Sequence, residues 1–291
     1  MQGGDSNQIT REYFDKMLLE TRYIDACLPD VTTTLFGEEF DTPIMTAALS
    51  HLNGTCENGM RKFAQGAKDA NAVCFMGMGE DVELEDMCST GARVVKIIKP
   101  HFDNAEVFRK IEHAKKQGVM AVGMDIDHSF NGSGQYDNVL GLPMKAKSKE
   151  ELKSFVDASD LPFVVKGVLS VSDAIKSVEI GAKAIIVSHH HGIMPYSVPP
   201  LMVLPEIKKT VGNQLTILVD CGIESGMDVF KALALGADGV CVGRELMGPL
   251  KDGSAAVTKR IKEMTGELKS IMARIGAKNI KDIDPGVIHF I

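Results

Sequence analysis

From residue 43 onward the chain repeats one pattern eight times: a short apolar, often β-branched run, then polar or glycine-bearing residues, then in most intervals an amphipathic stretch. The runs are PIMTAA (43–48), AVCFM (72–76), RVVKII (93–98), MAVGMDI (120–126), PFVVK (162–166), AIIVS (184–188), TILVD (216–220) and GVCVG (239–243). They are nearly continuous in apolar character rather than alternating, as a parallel strand needs when both of its faces are covered. Stretches such as AEVFRKIEHAKKQ (105–117), SVSDAIKSVEIG (170–181) and GMDVFKALALG (226–236) carry helical spacing and end at or near a glycine able to take the left-handed cap conformation. Eight strands suggest closure, so the expected fold is α/β, a (β/α)8 TIM barrel, with an open doubly wound sheet as the alternative. Residues 1–42 are expected to form a short N-terminal extension, with a hairpin at VTTTLFGEEF (31–40) plugging the N-terminal end of a barrel over residues 43–291. The whole reads as one domain.

A chain of 291 residues with 44% hydrophobic content buries a substantial core. Its formal charge of -7, and the lack of Lys/Arg blocks interleaved with aromatics, argue against nucleic acid as a partner. The N-terminus MQGGDSNQITREYFDK has no apolar core, and no run approaches the roughly 18 apolar residues of a membrane span, so the expected protein is soluble, cytoplasmic and without a membrane partner. Six cysteines (Cys27, Cys56, Cys74, Cys88, Cys221, Cys241) are scattered without CxxC spacing and read as reduced thiols.

In a barrel of this kind the chemistry sits at the strand C-termini. Read in order, those positions supply Ala47 and Ala48, Gly77 to Gly79, Lys96, Asp125 and Asp127, Lys166, Ser188 with His189 to His191, Asp220 with Gly222, and Gly243 with Arg244. The polar segment HSFNGSGQYDNVLGLPM (128–144) follows the fourth strand, where it is placed to act as a lid. VDCGIESG (219–226) and VCVGRELM (240–247) put glycines at the ends of adjacent strands, a phosphate site with Arg244 available for a charge-assisted contact. Lys166 ends an apolar strand and must face something polar: an anion, a Schiff-base substrate, or Asp127 or Asp220 in an ion pair. Asp127 and His190 are placed to pair, the carboxylate orienting the imidazole as a general base. Three adjacent histidines in extended backbone would alternate in direction, which disfavours a metal held by all of them. No metal is expected.

Several segments together carry a resemblance: FVVKGVLSVSDAIKSVEIGAKAIIVSHHHG, ILVDCGIESGMDVFKALALGADGVCVGRELM, the final IMARIGAKNIKDID and, more loosely, DVTTTLFGEEFDTPIMTAAL and GVMAVGMDID. The chain resembles the FMN-dependent α-hydroxy-acid oxidases and dehydrogenases, the glycolate oxidase and lactate oxidase type, as a divergent member. The resemblance implies FMN at the barrel mouth and hydride transfer from a substrate carbinol to flavin N5. It implies His190 as catalytic base oriented by Asp127, and Lys166 beside flavin N1. It also implies Lys96, Asp125, Ser188, Asp220, Gly222, Gly243 and Arg244 as further cofactor contacts, and a homotetramer; Ala47, Ala48 and Gly77, at strand ends of the same mouth, are expected to join them.

The departures from the pattern bear on substrate. After His190 the family has Gly-Gly-Arg and this chain has His191, Gly192 and Ile193, so the arginine that grips a substrate carboxylate is missing. The expected substrate is a small hydroxylated molecule other than a standard 2-hydroxy acid, contacted by Lys96, His189, His191 or Tyr196, with Tyr13 and Tyr136 as other candidates for the family tyrosine. Glu224 and Ser225 stand where phosphate-loop arginines are common. The alternatives are a flavin-dependent isomerase without net oxidation and a non-redox barrel binding a phosphorylated ligand.

Overall fold

The computed structural model describes residues 4–291, so residues 1–3 of the N-terminal extension lie outside it. Eight strands form the main sheet: β1 (Ile44–Thr46), β2 (Cys74–Met76), β3 (Val94–Ile98), β4 (Ala121–Asp125), β5 (Phe163–Val168), β6 (Ala184–Val187), β7 (Thr216–Val219) and β8 (Gly239–Val242). Each coincides with one of the apolar runs, β5 continuing two residues further to Val168. The helices are α1 (Ser6–Asp15), α2 (Gly59–Asp69), α3 (Asp81–Ser89), α4 (Asn104–Lys116), α5 (Lys149–Ser159), α6 (Val171–Glu179), α7 (Pro200–Val211), α8 (Gly226–Ala234), α9 (Arg244–Leu250) and α10 (Ser254–Arg274). Local chemistry sets their ends: Ser170 Oγ accepts from the Asp173 N–H to start α6, and Gly181, at φ 84°, turns the chain out of it.

All the main-sheet pairings are parallel, in the order β1-β8-β7-β6-β5-β4-β3-β2. The remaining seam, β1 to β2, closes through individual contacts: Thr46 N–H donates to Val73 O (3.0 Å), Thr46 Oγ1 accepts from Phe75 N–H (3.0 Å), and Gly77 N–H donates to Leu49 O (2.8 Å). The architecture is a (β/α)8 TIM barrel.

Side-chain direction alternates along each strand. Val95, Ile97, Ala121, Val164, Ile186 and Leu218 fill the barrel interior, whereas Val94, Ile98, Val122 and Val165 join the helix layer outside. The two-stranded hairpin of Thr33–Leu35 and Glu38–Phe40 adds Leu35 and Phe40 to the interior cluster from the strands' N-terminal side. At the other end α1 lies against the loops after β6 and β7: Thr10 Oγ1 meets His189 Nε2 at 2.8 Å, and Arg11 donates to Gly222 O at 3.3 Å. The extension thus touches both ends of the barrel. Residues 128–144 are more ordered than a simple polar loop, with Asn138–Val139 pairing antiparallel to Leu142–Pro143 and Phe130 stacking on Tyr136 at 5.7 Å. No helix among the described residues is long and apolar enough to cross a membrane.

The long α10 covers α2 and α8, and the contact with α8 depends on one glycine. A Cβ at Gly226 would come within 2.6 Å of both Leu268 N and Met264 O, so backbone would have to move. Gly226→Ala is expected to destabilise the fold by about 1–3 kcal/mol, read as a lower urea midpoint. An unchanged midpoint would show that the two helices do not approach so closely.

Candidate functional site

The inward positions of the strands converge at the C-terminal mouth. Counting by twos from the packed interior residues, β4 leads from Ala121 to Asp125, β5 from Val164 to Lys166, β6 from Ile186 to Ser188 and β7 from Leu218 to Asp220. On β3 the same count leads from Val95 through Ile97 to Lys99. Lys96 has the other parity. It is buried outside the barrel, donating to Gly77 O at 2.6 Å with Lys110 and Asp81 nearby, and burial pushes its pKa down to about 7. The expectation that Lys96 faces a cofactor in the mouth is therefore corrected: strand alternation turns it outward, and Lys99 takes the interior place.

Asp125 is the centre of the charged cluster. Lys99 Nζ lies 2.6 Å from its Oδ2 and Lys166 Nζ 3.4 Å from its Oδ1. Burial alone would protonate Asp125, but Lys166, His190 and Lys99 outweigh it and hold the carboxylate well below its ordinary range. Lys166 is also 3.9 Å from Asp220 Oδ2. Burial works against its ammonium, yet Asp125, Asp220 and Asp127 keep its pKa above the ordinary lysine value. Lys99 ends below that value, because burial outweighs Asp125.

His190 Nδ1 lies 2.7 Å from Asp127 Oδ1, 3.2 Å from Asp125 Oδ1 and 3.2 Å from Lys166 Nζ. The shortest of these contacts makes Asp127 the partner of the Nδ1–H. The other oxygen of Asp127 is buried without a protein donor, and burial together with Asp125 pushes its pKa up to about 6. Burial and Lys166 oppose charge on His190, while Asp125 and Asp127 favour it, and the balance leaves His190 above the ordinary histidine range.

The histidine run is not extended throughout. His190 (φ 48°), His191 (φ 56°) and Gly192 (φ 78°) are all left-handed, which sends the rings to three different places. Ser188 Oγ, accepting from the His190 N–H at 3.0 Å, ties this turn to the end of β6. His189 is buried, its Nδ1 accepting from Gly192 N–H at 2.9 Å and its Nε2 engaged by Thr10, so neither nitrogen is left for a substrate. His191 Nδ1 meets Asn7 Oδ1 at 2.7 Å. The set that brings ligand-type atoms together, within 4.8 Å, is Asp125, Asp127, His128 and His190 rather than the triplet, and lysine ammoniums already sit on Asp125.

Beside the cluster opens a cavity of about 680 Å³, within the range of small-molecule sites. Of the residues expected to contact a cofactor, Ala47, Ala48, Lys166, Asp220, Gly222, Gly243 and Arg244 line it, as do His190 and His191. Gly77 is sealed against Ala48, whose carbonyl oxygen would lie 2.4 Å from an added Cβ. Asp125 sits under the two lysines, and Ser188 is used by the histidine turn. Tyr196 is 72% exposed and packs over Gly4, Tyr136 lies on Phe130, and Tyr13 lies against Phe290, so the three tyrosines sit away from the cavity.

The loop after β7 has a feature the sequence did not disclose. Arg11 Nη1 comes within 3.8 Å of Glu224 Oε2 from α1, and Arg260 donates from α10 to Glu224 O at 2.8 Å. Two guanidiniums from distant segments thus border the loop that carries Glu224 and Ser225. Small residues at Ala47, Ala48, Gly222 and Gly243, with the Arg244 guanidinium and the Lys166 ammonium in the same wall, suit a ligand that carries both an anionic group and a polar ring system. FMN is such a molecule, and the donors present fit it. Cys221, at φ 69°, also enters the cavity wall.

The family model described as FMN-dependent dehydrogenase matches residues 2–150 and 144–290. Glycolate oxidase 3 of Arabidopsis thaliana is 28% identical over 95% of this chain and 85% of its own length, and an L-lactate oxidase of Nostoc sp. is 27% identical over 97% and 89%. Among solved structures, mandelate oxidase with 3,3-difluoro-2-hydroxy-3-phenylpropionic acid superposes with a TM-score of 0.89 at 25% identity, covering 98% of this chain and 90% of that one. A mandelate oxidase mutant with the monooxide FMN adduct gives a TM-score of 0.88 at 26% identity, over 98% and 91%. With the family model accounting for almost every residue and the barrel mouth suited to the cofactor, this chain belongs to the FMN-dependent dehydrogenase family, and it is an FMN-dependent oxidoreductase.

Proposed function

We propose that the protein oxidises a small hydroxylated molecule at the mouth of the barrel, with His190 taking the hydroxyl proton on Nε2. The observation that carries this reading is the 2.7 Å contact between His190 Nδ1 and Asp127, with Lys166 alongside at the edge of the cavity. Asp127 holds the ring so that Nε2 is the reacting nitrogen, and the carboxylates stabilise the imidazolium that forms. FMN, when bound, supplies the hydride acceptor. The Lys166 ammonium is placed to favour negative charge developing there.

The substrate is read from what the loop after β6 withholds. Ile193 and Met194 are both exposed, and neither lines the cavity, so that loop sends no guanidinium to clamp a carboxylate. A hydroxylated compound that does not depend on such a clamp fits best, entering beneath residues 128–144.

The test begins with an absorption spectrum after incubation with FMN and desalting. Retained flavin bands, followed by anaerobic bleaching with a hydroxylated compound, are expected. Turnover that consumes no acceptor would favour an isomerase, and failure to retain flavin would favour the non-redox barrel binding a phosphorylated ligand.

A further inference from the structure

His128 opens the segment after β4, one residue beyond Asp127, and its side chain is 21% exposed. Its Nδ1 lies 3.0 Å from Asp137 Oδ2, and its Nε2 lies 3.1 Å from Nε2 of His190. The two rings meet edge to face at 84°, with centroids 4.2 Å apart. The nitrogen that would receive the substrate proton is therefore already in contact with another imidazole.

Proton counting decides what this contact is. An ionised carboxylate accepts and cannot donate, so each Nδ1 carries the hydrogen it shares with Asp127 or Asp137. A neutral imidazole has one N–H, so both Nε2 atoms would then be bare, with lone pairs facing each other. The contact is a hydrogen bond when the pair carries one further proton.

The surrounding charges favour that state. Asp125 and Asp127 face His190 from the end of β4 and Lys166 from β5; Lys99 of β3 is held on Asp125 and bears on His128, Asp220 of the β7 end is reached through Lys166, and Asp137 faces His128 from residues 128–144. In the linked cluster that ends on His190, the carboxylates of Asp125, Asp127 and Asp220 outnumber the ammoniums of Lys99 and Lys166 by one, which an imidazolium at His190 balances. Burial opposes charge on both rings. The carboxylates nevertheless hold His190 above the ordinary range, while burial, Lys99 and His190 itself press His128 below it. His190 is the donor and His128 the acceptor.

We propose that His128 and His190 hold one proton as a pair, His128 accepting the Nε2–H of His190 between turnovers and yielding that nitrogen to the substrate hydroxyl. The inference rests on the reading of His190 as base and adds His128 as a positioning residue. For catalysis the pair releases its proton to water and His128 moves aside. The substrate O–H proton passes to the Nε2 lone pair of neutral His190, and the protonated ring meets His128 again once product has left.

The test is a pH titration by NMR of the FMN-loaded protein with ¹⁵N-labelled histidine, in the parent chain, His128→Ala and His128→Gln. Loss of a hydrogen bond to a charged donor is expected to lower the His190 titration by about one to two pH units in His128→Ala. His128→Gln, whose amide oxygen can accept, is expected to recover most of that shift. Identical His190 titrations in all three proteins would overturn the proposal. If the alanine variant fails to fold, the parent chain alone decides, because a shared proton gives a ¹⁵N–¹⁵N coupling between the two Nε2 atoms, and its absence at every pH would be equally fatal. These readouts report protonation rather than turnover. Were His190 not the base, His190→Ala would keep reducing flavin while the titrations stayed as described, so the two failures are distinguishable.

Discussion

Replacing His190 with alanine is expected to slow anaerobic flavin reduction by about 10²–10⁴-fold, the usual contribution of a positioned base, while FMN stays bound. The cofactor should be retained because the rest of the cavity wall, including Ala47, Ala48, Gly222, Gly243 and Arg244, is left unchanged by the substitution. The pH profile gives an independent sign. A base must be unprotonated to act, and the carboxylates around His190 place its pKa above the ordinary value of 6.5. Flavin reduction should therefore rise with pH through a point above 6.5, and this acid limb should vanish in His190→Ala. Stopped-flow reduction across a pH series reads both effects, and an undiminished rate in the variant would remove His190 from the role.

Lys166→Met is expected to have the largest effect on stability. The ammonium is buried between Asp125 and Asp220, and removing it leaves buried carboxylates short of a counter-charge, a change that typically costs about 3–5 kcal/mol. Because the folded-state pKa of Lys166 lies above its ordinary value of 10.5, this stabilisation is complete at neutral pH and is lost only as pH rises through the folded value. In whatever fraction folds, the midpoint potential of bound FMN should fall, since the cation favours the electron-rich form. Lys166→Arg keeps the charge and separates the two causes: it should retain more stability than Lys166→Met while still disturbing the packed geometry. Equal urea midpoints for Lys166→Met and the parent chain would show that the ammonium is not needed to balance the cluster.

The candidate site was partly legible in the sequence. Lys166, His190, Asp127 and the glycines after β7 and β8 stand at the ends of apolar runs, where a closed parallel barrel places its chemistry, and their residue types limit what they can do. Lys99 was also within reach. The alternation that buries Val95 and Ile97 inside the barrel points to residue 99 and away from Lys96, so the signal was present in the period of two. Two other readings turned on conformations that residue type does not disclose. The histidine run reads as extended, yet left-handed backbone at His190 and His191 scatters its rings, and His189 ends as a buried partner of Thr10.

What the sequence determined by itself is the barrel and the ends of its strands, because strand and helix follow from short-range periodicity, caps and glycine placement, all local in the chain. The tertiary structure decided which side chains meet. His128 reaches His190 across 62 residues, and Arg11 reaches Asp228 and the Glu224 loop across more than 200. Contacts of this kind depend on the path of residues 128–144 and the docking of an N-terminal helix, and no spacing in the sequence encodes them. The same holds for protonation. The carboxylate excess that sets His190 against His128 is a sum over charges from β3, β4, β5, β7 and residues 128–144, which only closure of the barrel brings within a few ångströms of one another.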